Sequence, residues 1–152
     1  MKKPWVSALM VILAAGIVAV AAEGDRKYIV LKRPAASTAP FSEAVLKGDT
    51  LYLSGHLGLD PQTGKPGATP EEEARLVMES FKRTVEAGGM TMDDLVSVTV
   101  FCSDVAHYDA FNGVYRTYFH GNFPARAFIG AGKLLFGARF EVQGIAVKRS
   151  AP

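Results

Sequence analysis

The sequence predicts a single α+β domain, a mixed β-sheet with two helices packed on one face. Three observations carry this expectation. Residues 95–102, Leu95-Val96-Ser97-Val98-Thr99-Val100-Phe101-Cys102, alternate with period two and read as a strand with one buried face. Ahead of it, Ala74, Val77, Met78, Phe81 and Val85 recur at helical spacing and form one apolar stripe. The periodic segments follow the order strands, helix, strand, helix, strands, as expected of helices layered on a sheet. At 152 residues the chain is long enough for one domain with a proper core, and nothing in its length asks for two.

Each element has a local cause. Tyr28-Ile29-Val30-Leu31 reads as a short strand, and residues 34–40 break structure with two prolines. Residues 41–46 and 50–54 form a hairpin around Lys47-Gly48-Asp49, where glycine supplies the turn's backbone angle. Gly55 and Gly58 flank His56 at the strand end and allow close backbone approach by a neighbouring chain or a ligand. Residues 60–67 are a surface loop. Thr69, Pro70 and Glu72 supply an N-cap, a first helical residue and a reaching-back partner, and Gly88-Gly89 ends that helix. A second helix over 106–119 carries Phe111, Val114, Tyr115 and Tyr118 on one face. Two further strands follow, one holding Arg126 and a last one over 138–147. Apolar residues occupy both faces of several strands, so the face without helices is expected to be covered by another copy of the chain.

The first 22 residues differ from the rest. Met1-Lys2-Lys3 precedes an apolar run from Val6 to Val20, and Ala19 and Ala21 stand two apart. That is the pattern of a secretory signal peptide over 1–22, followed by a domain over 23–152 in a periplasmic or secreted protein. Of the 17 basic residues, Lys2 and Lys3 lie in this leader, and the remainder balance the 15 acidic ones. A nucleic acid or anionic membrane partner is disfavoured by that neutrality. Cys102 is the single cysteine and can form no internal disulfide; its place in the alternating strand predicts a buried thiol.

Arg126 is the leading functional candidate. It follows Phe123-Pro124-Ala125 and precedes Ala127-Phe128-Ile129, so a rigid turn delivers a guanidinium into an apolar strand. Such a charge must meet a carboxylate, from a ligand or from the protein (Glu141 being one choice), or else reach solvent. His56, His107, His120 and Cys102 have no metal-ligand spacing, and 130–133 lacks the length of a phosphate loop. No metal or cofactor is expected.

The chain resembles a known family through a set of segments in order. These are Ala39-Pro40-Phe41-Ser42, Gly48-Asp49-Thr50-Leu51-Tyr52-Leu53-Ser54-Gly55, Leu59-Asp60-Pro61-Gln62-Thr63-Gly64, Val98-Thr99-Val100-Phe101, Phe111-Asn112-Gly113-Val114-Tyr115 and Phe123-Pro124-Ala125-Arg126. Their spacing over residues 28–149 is similar to that of the RidA (YjgF-like) family, the reactive-intermediate deaminases. The resemblance implies a chorismate-mutase-like α+β fold and a homotrimer with ligand clefts between subunits. It further implies hydrolysis of a 2-imino acid to a 2-keto acid and ammonia without cofactor. Arg126 would clamp the carboxylate, Gly55 would offer backbone beside the ligand, and Asn112 would help order the site.

Three departures from that pattern bear on function. Phe41 stands where active members carry a tyrosine, and Ala127-Phe128 replaces small polar residues, giving a more apolar pocket. Gln143 is assigned the position of the glutamate that directs water; it can hold a water but cannot take its proton. Glu141, two residues earlier on the same face, is the possible substitute. The expectation is therefore an exported imine deaminase using Arg126 and Gln143, with Gly55, Phe41, Asn112 and Phe128 around the ligand. The alternative is a trimer that captures a small carboxylate without turnover.

Overall fold

The computed structural model describes residues 25–31 and 39–149. The segment 1–22, expected to be a signal peptide, lies outside the described residues. Six strands form one sheet: β1 (Arg26–Ile29), β2 (Ala44–Lys47), β3 (Thr50–Leu57), β4 (Leu95–Cys102), β5 (Ala125–Gly130) and β6 (Phe140–Val147). Their order is β1-β2-β3-β6-β4-β5, antiparallel at every junction except β4 with β5. The connection from β3 to β4 runs through α1 (Pro70–Ala87), and that from β4 to β5 through α2 (Tyr108–Tyr115). β6 then inserts antiparallel between β3 and β4, closing a split βαβ arrangement.

α1 forms for the reasons its sequence states. Thr69 Oγ1 accepts from Glu72 N at 3.2 Å and Glu72 Oε2 accepts from Thr69 N at 3.3 Å, a reciprocal cap ahead of Pro70. Ala74, Val77, Met78, Phe81 and Val85 are all fully buried, packed with Leu51, Val98, Val100 and Val142 in one core. The opposite sheet face is uncovered in the single chain. Tyr52, Val96, Ile129 and Val147 are exposed there.

The second helix is shorter than the 106–119 expected. Residues 105–107 and 116–118 form tight 3₁₀ turns on either side of α2. Asp104 Oδ1 accepts from Ala106 N at 2.9 Å at the front, and the Thr117 hydroxyl donates to Val114 O at 2.7 Å at the back. Both are local side-chain bonds that compete with continued helix. β1 lies two residues earlier than expected, because its four residues pair in register with Lys47 back to Ala44. The last strand starts at Phe140 rather than 138, because the backbone N–H groups of Arg139 and Phe140 both donate to Glu73 Oε1 on α1 and not to the ladder.

Glu73 is fully buried and also takes Arg139 Nη1 at 2.7 Å. Arg139 donates onward to Gly67 O at 2.9 Å and Ala68 O at 3.3 Å, so one ion pair ties α1, the 58–68 loop and the start of β6. Glu73→Ala should lower unfolding stability by about 3 kcal/mol, since it strands buried donors and an unpaired guanidinium. Urea denaturation of the variant against the parent protein tests this, and a change within ±0.5 kcal/mol, as at ordinary surface positions, would contradict it.

Candidate functional site

Arg126 pairs across the parallel junction with Val98, a residue buried under the helices, so its side chain lies on the helix side of the sheet. Its Nη2 donates to Asn112 Oδ1 at 2.7 Å. The guanidinium carbon sits 4.5 Å from the Tyr115 ring centroid, 6.0 Å from Tyr108 and 5.8 Å from Phe128. These rings surround the fork, with the Tyr115 ring at cation–π distance. Among the described residues Arg126 forms no ion pair, so the Glu141 pairing left open by the sequence is not made within the chain. Phe128 meets Tyr108 edge-on at 4.9 Å and Phe111 at 5.7 Å, standing behind the arginine as support.

A cavity of about 200 Å³ opens in front of this arginine, between α2 and the 123–126 segment. Tyr108, Tyr115, Phe123 and Pro124 wall it, and Asn112, Arg116 and Arg126 supply its polar groups. The Tyr115 hydroxyl is buried and has no hydrogen-bond partner among the described residues; burial pushes its pKa up to about 12, with Arg126 pulling the other way. A larger groove of about 550 Å³ lies between the 60–68 loop and α1, and no predicted site residue lines it. Its Asp60 and Glu72 carboxylates are already engaged by the backbone N–H groups of Gln62, Thr63, Ala68 and Thr69.

The remaining predicted residues gather elsewhere. The register between β3 and β6 shifts between Leu53 and His56, so Ser54 and Gly55 bulge opposite Gln143. At Gly55 an added Cβ would collide with the Glu141 carboxylate, so the glycine leaves room for that acid. Phe140 and Val142 point into the core, which sends Glu141 and Gln143 to the face without helices. Gln143 lines a separate depression there with Tyr52, Ser97 and Thr99. Phe41 is exposed at the entrance to β2, and Ser54 Oγ donates to neighbouring Ser42 O at 2.6 Å, tying that segment beside the bulge. The structure thus joins Arg126, Asn112 and Phe128 in one group and Gly55, Glu141 and the Phe41 segment in another. β5 and β3 are three strand positions apart, about 14 Å, and the two groups lie on opposite faces.

Comparison with known proteins bears on these groups. The model of a family described as Endoribonuclease L-PSP matches residues 31–148. The chain belongs to this family, the RidA/YjgF proteins. The rat 2-iminobutanoate/2-iminopropanoate deaminase is 36% identical over 125 residues, covering 81% of this chain and 90% of the relative. The crystal structure of RidA from a Psychrobacter species is 30% identical with TM-score 0.74, covering 80% of this chain and 99% of that one. Escherichia coli TdcF with bound serine is 29% identical with TM-score 0.73, covering 81% of this chain and all of that one. The six-strand sheet with two helices matches the chorismate-mutase-like α+β fold of these neighbours.

Sequence reasoning missed Tyr108, Arg116 and Phe123 as cavity residues and counted Tyr115 only as core. The available signal was helical spacing: Tyr108, Tyr115 and Arg116 lie four, three and four residues from Asn112. It also missed the tie beside Gly55. His56 is buried; its Nδ1 is 2.8 Å from Ser54 O and its Nε2 2.8 Å from Thr84 Oγ1, which requires Nδ1–H donating and, in the neutral ring, Nε2 accepting. Burial lowers the His56 pKa below 6.5, opposed by the Ser54 carbonyl and Glu43 and reinforced by Arg83. Folding therefore favours the neutral ring. Its contribution is complete above about pH 6.5 and is lost as pH falls toward the depressed folded-state value. Urea unfolding at a series of pH values should show stability declining below that point, and His56→Gln should flatten the decline.

Proposed function

We propose that this chain is an exported 2-imino acid deaminase of the RidA type, assembled as a homotrimer whose sites lie between subunits. The observation that carries the reading is Arg126: a guanidinium held by Asn112 and three rings, with no carboxylate to neutralise it among the described residues, facing a small cavity. That is a seat for one carboxylate of a small ligand. The name of the rat relative supports an imino acid as that ligand. The apolar leader over 1–22 supports export.

Assembly follows from the division of the site. Gly55, Glu141 and the Phe41 segment cannot reach Arg126 within one chain, so a second copy, its helix-free face covered, would bring them to the first copy's arginine. Arg126 then holds the carboxylate of the imino acid, and Glu141 of the neighbouring copy orients a water and accepts its proton as oxygen bonds to C2. The C=N π pair moves to nitrogen, which takes that proton to give a carbinolamine; its hydroxyl proton then passes to nitrogen as the C–N bond breaks and the C=O bond forms, and keto acid and ammonia leave. Proximity and a fixed clamp suffice for an electrophile as reactive as an imine. Glu141 is favoured over Gln143 by its packing against Gly55.

A second reading, capture of a small carboxylate without turnover, is favoured by Phe41, which has no hydroxyl, and by the relative with serine bound. Release of keto acid from an imino acid made in situ by an amino-acid oxidase separates the two. For the enzyme, Arg126→Ala should lower kcat/KM by about a hundredfold, and Glu141→Gln should lower turnover by about a hundredfold or more. A loss of that size in Gln143→Ala with Glu141→Gln active would assign the water to Gln143. Parent protein that never exceeds the uncatalysed rate would leave only the carrier.

A further inference from the structure

A second arginine, Arg116, lines the cavity in front of Arg126. Arg116 caps α2 with helical backbone angles, φ −58° and ψ −28°, so it continues the face that carries Asn112 one turn earlier. One turn is about 5.4 Å along the axis. Asn112 is bonded to Arg126, which places the Arg116 side chain beside the arginine seat and among the groups that line it. Among the described residues no acidic side chain lines this cavity and Arg116 forms no ion pair. The walls are the aromatic rings of Tyr108, Tyr115 and Phe123.

Two arginines border about 200 Å³, Arg126 half-buried and Arg116 exposed at the edge, with no carboxylate between them among the described residues, so the cavity carries an uncompensated positive potential that water only partly screens. A monocarboxylate compensates one of them. A ligand with a carboxylate at each end compensates both, and the cavity's size suits a four- or five-carbon chain. We propose that Arg116 is a specificity residue that selects acidic substrates, so that the preferred substrate is a 2-imino dicarboxylate, the imine formed on oxidation of an acidic amino acid. This rests on the assignment of Arg126 as the carboxylate clamp. The α-carboxylate occupies Arg126 and the side-chain carboxylate reaches Arg116 at the mouth, where solvent weakens the second contact relative to the first. The relatives named for 2-iminobutanoate and 2-iminopropanoate take side chains with no charge.

The measurement is calorimetric binding of succinate against butanoate to the assembled protein, at low and high salt, together with turnover of the imines generated from aspartate and from alanine. Succinate should bind at least tenfold more tightly than butanoate, and the aspartate-derived imine should have the higher kcat/KM, the difference lying in KM. Arg116→Gln should bring both ratios to about one, and Arg116→Lys should keep most of them. If Arg116 serves only to cap the negative end of α2, Arg116→Gln lowers stability and leaves the ratios unmoved, and the proposal fails. A parent protein with no preference for succinate also overturns it. If Arg126→Ala leaves butanoate affinity unchanged, the clamp itself is misplaced and both assignments fall; if it abolishes binding while the Arg116 variants do nothing, only the selectivity falls.

Discussion

The buried carboxylate of Glu73 is the constraint on which the rest of the structure depends. An ionised group with no exposure is tolerated only when its oxygens are saturated, and here two backbone N–H groups and a guanidinium saturate them. Those donors belong to Arg139 and Phe140, the residues that open β6. The loop that passes over the pair does so without side chains at Gly58 and Gly67, where an added Cβ would strike the backbone of Glu73. Fixing Phe140 fixes the phase of β6: Phe140 and Val142 face the core, and Glu141 and Gln143 face outward. A slip of one residue would exchange those faces. The clamp therefore determines which β6 side chains face the bare side of the sheet, although it touches no cavity in front of Arg126.

The predicted site residues are sorted by the sheet into two sets with different physical character. Around Arg126 the helix layer supplies rings and one amide, a rigid and largely apolar frame for a single charge. Around Gly55 the bulge supplies space, backbone and a carboxylate on the bare face. Neither set is a complete site for hydrolysis, since the first has no group to receive a proton and the second has no clamp. The bare face carries exposed Tyr52, Val96 and Ile129, which a monomer would leave in water. Covering that face and completing the site are one structural requirement under the trimer reading.

Much of this arrangement was legible because local rules and tertiary packing agree. The Thr69–Glu72 cap, the five-residue stripe of α1 and the alternation of β4 each appear in the structure where their residues place them. The failures have specific causes. The second helix is cut by side-chain bonds of Asp104 and Thr117, residues whose preference for caps and turns is known but whose partners a sequence does not name. The start of β6 depends on Glu73, 67 residues away in the chain, and no periodicity records such a contact. Arg126 and Asn112 could be chosen from sequence, yet the face on which Arg126 lies could not, because a strand's residues alternate without stating which side the helices take. Glu141 and Gln143 share a face and differ by one pleat, so only the bulge at Ser54 and Gly55 distinguishes them.

Cys102 carries a consequence for where such a fold can operate. Its thiol is fully buried in β4, donates to Asp104 O at 3.0 Å, and is raised in pKa chiefly by that burial. It is also the only sulfhydryl in the sequence. The folded domain therefore has no thiol to exchange with glutathione and no partner for cross-linking, and the thiolate that peroxide would attack is suppressed. Its native state is redox-neutral, equally available in a reducing and in an oxidising compartment.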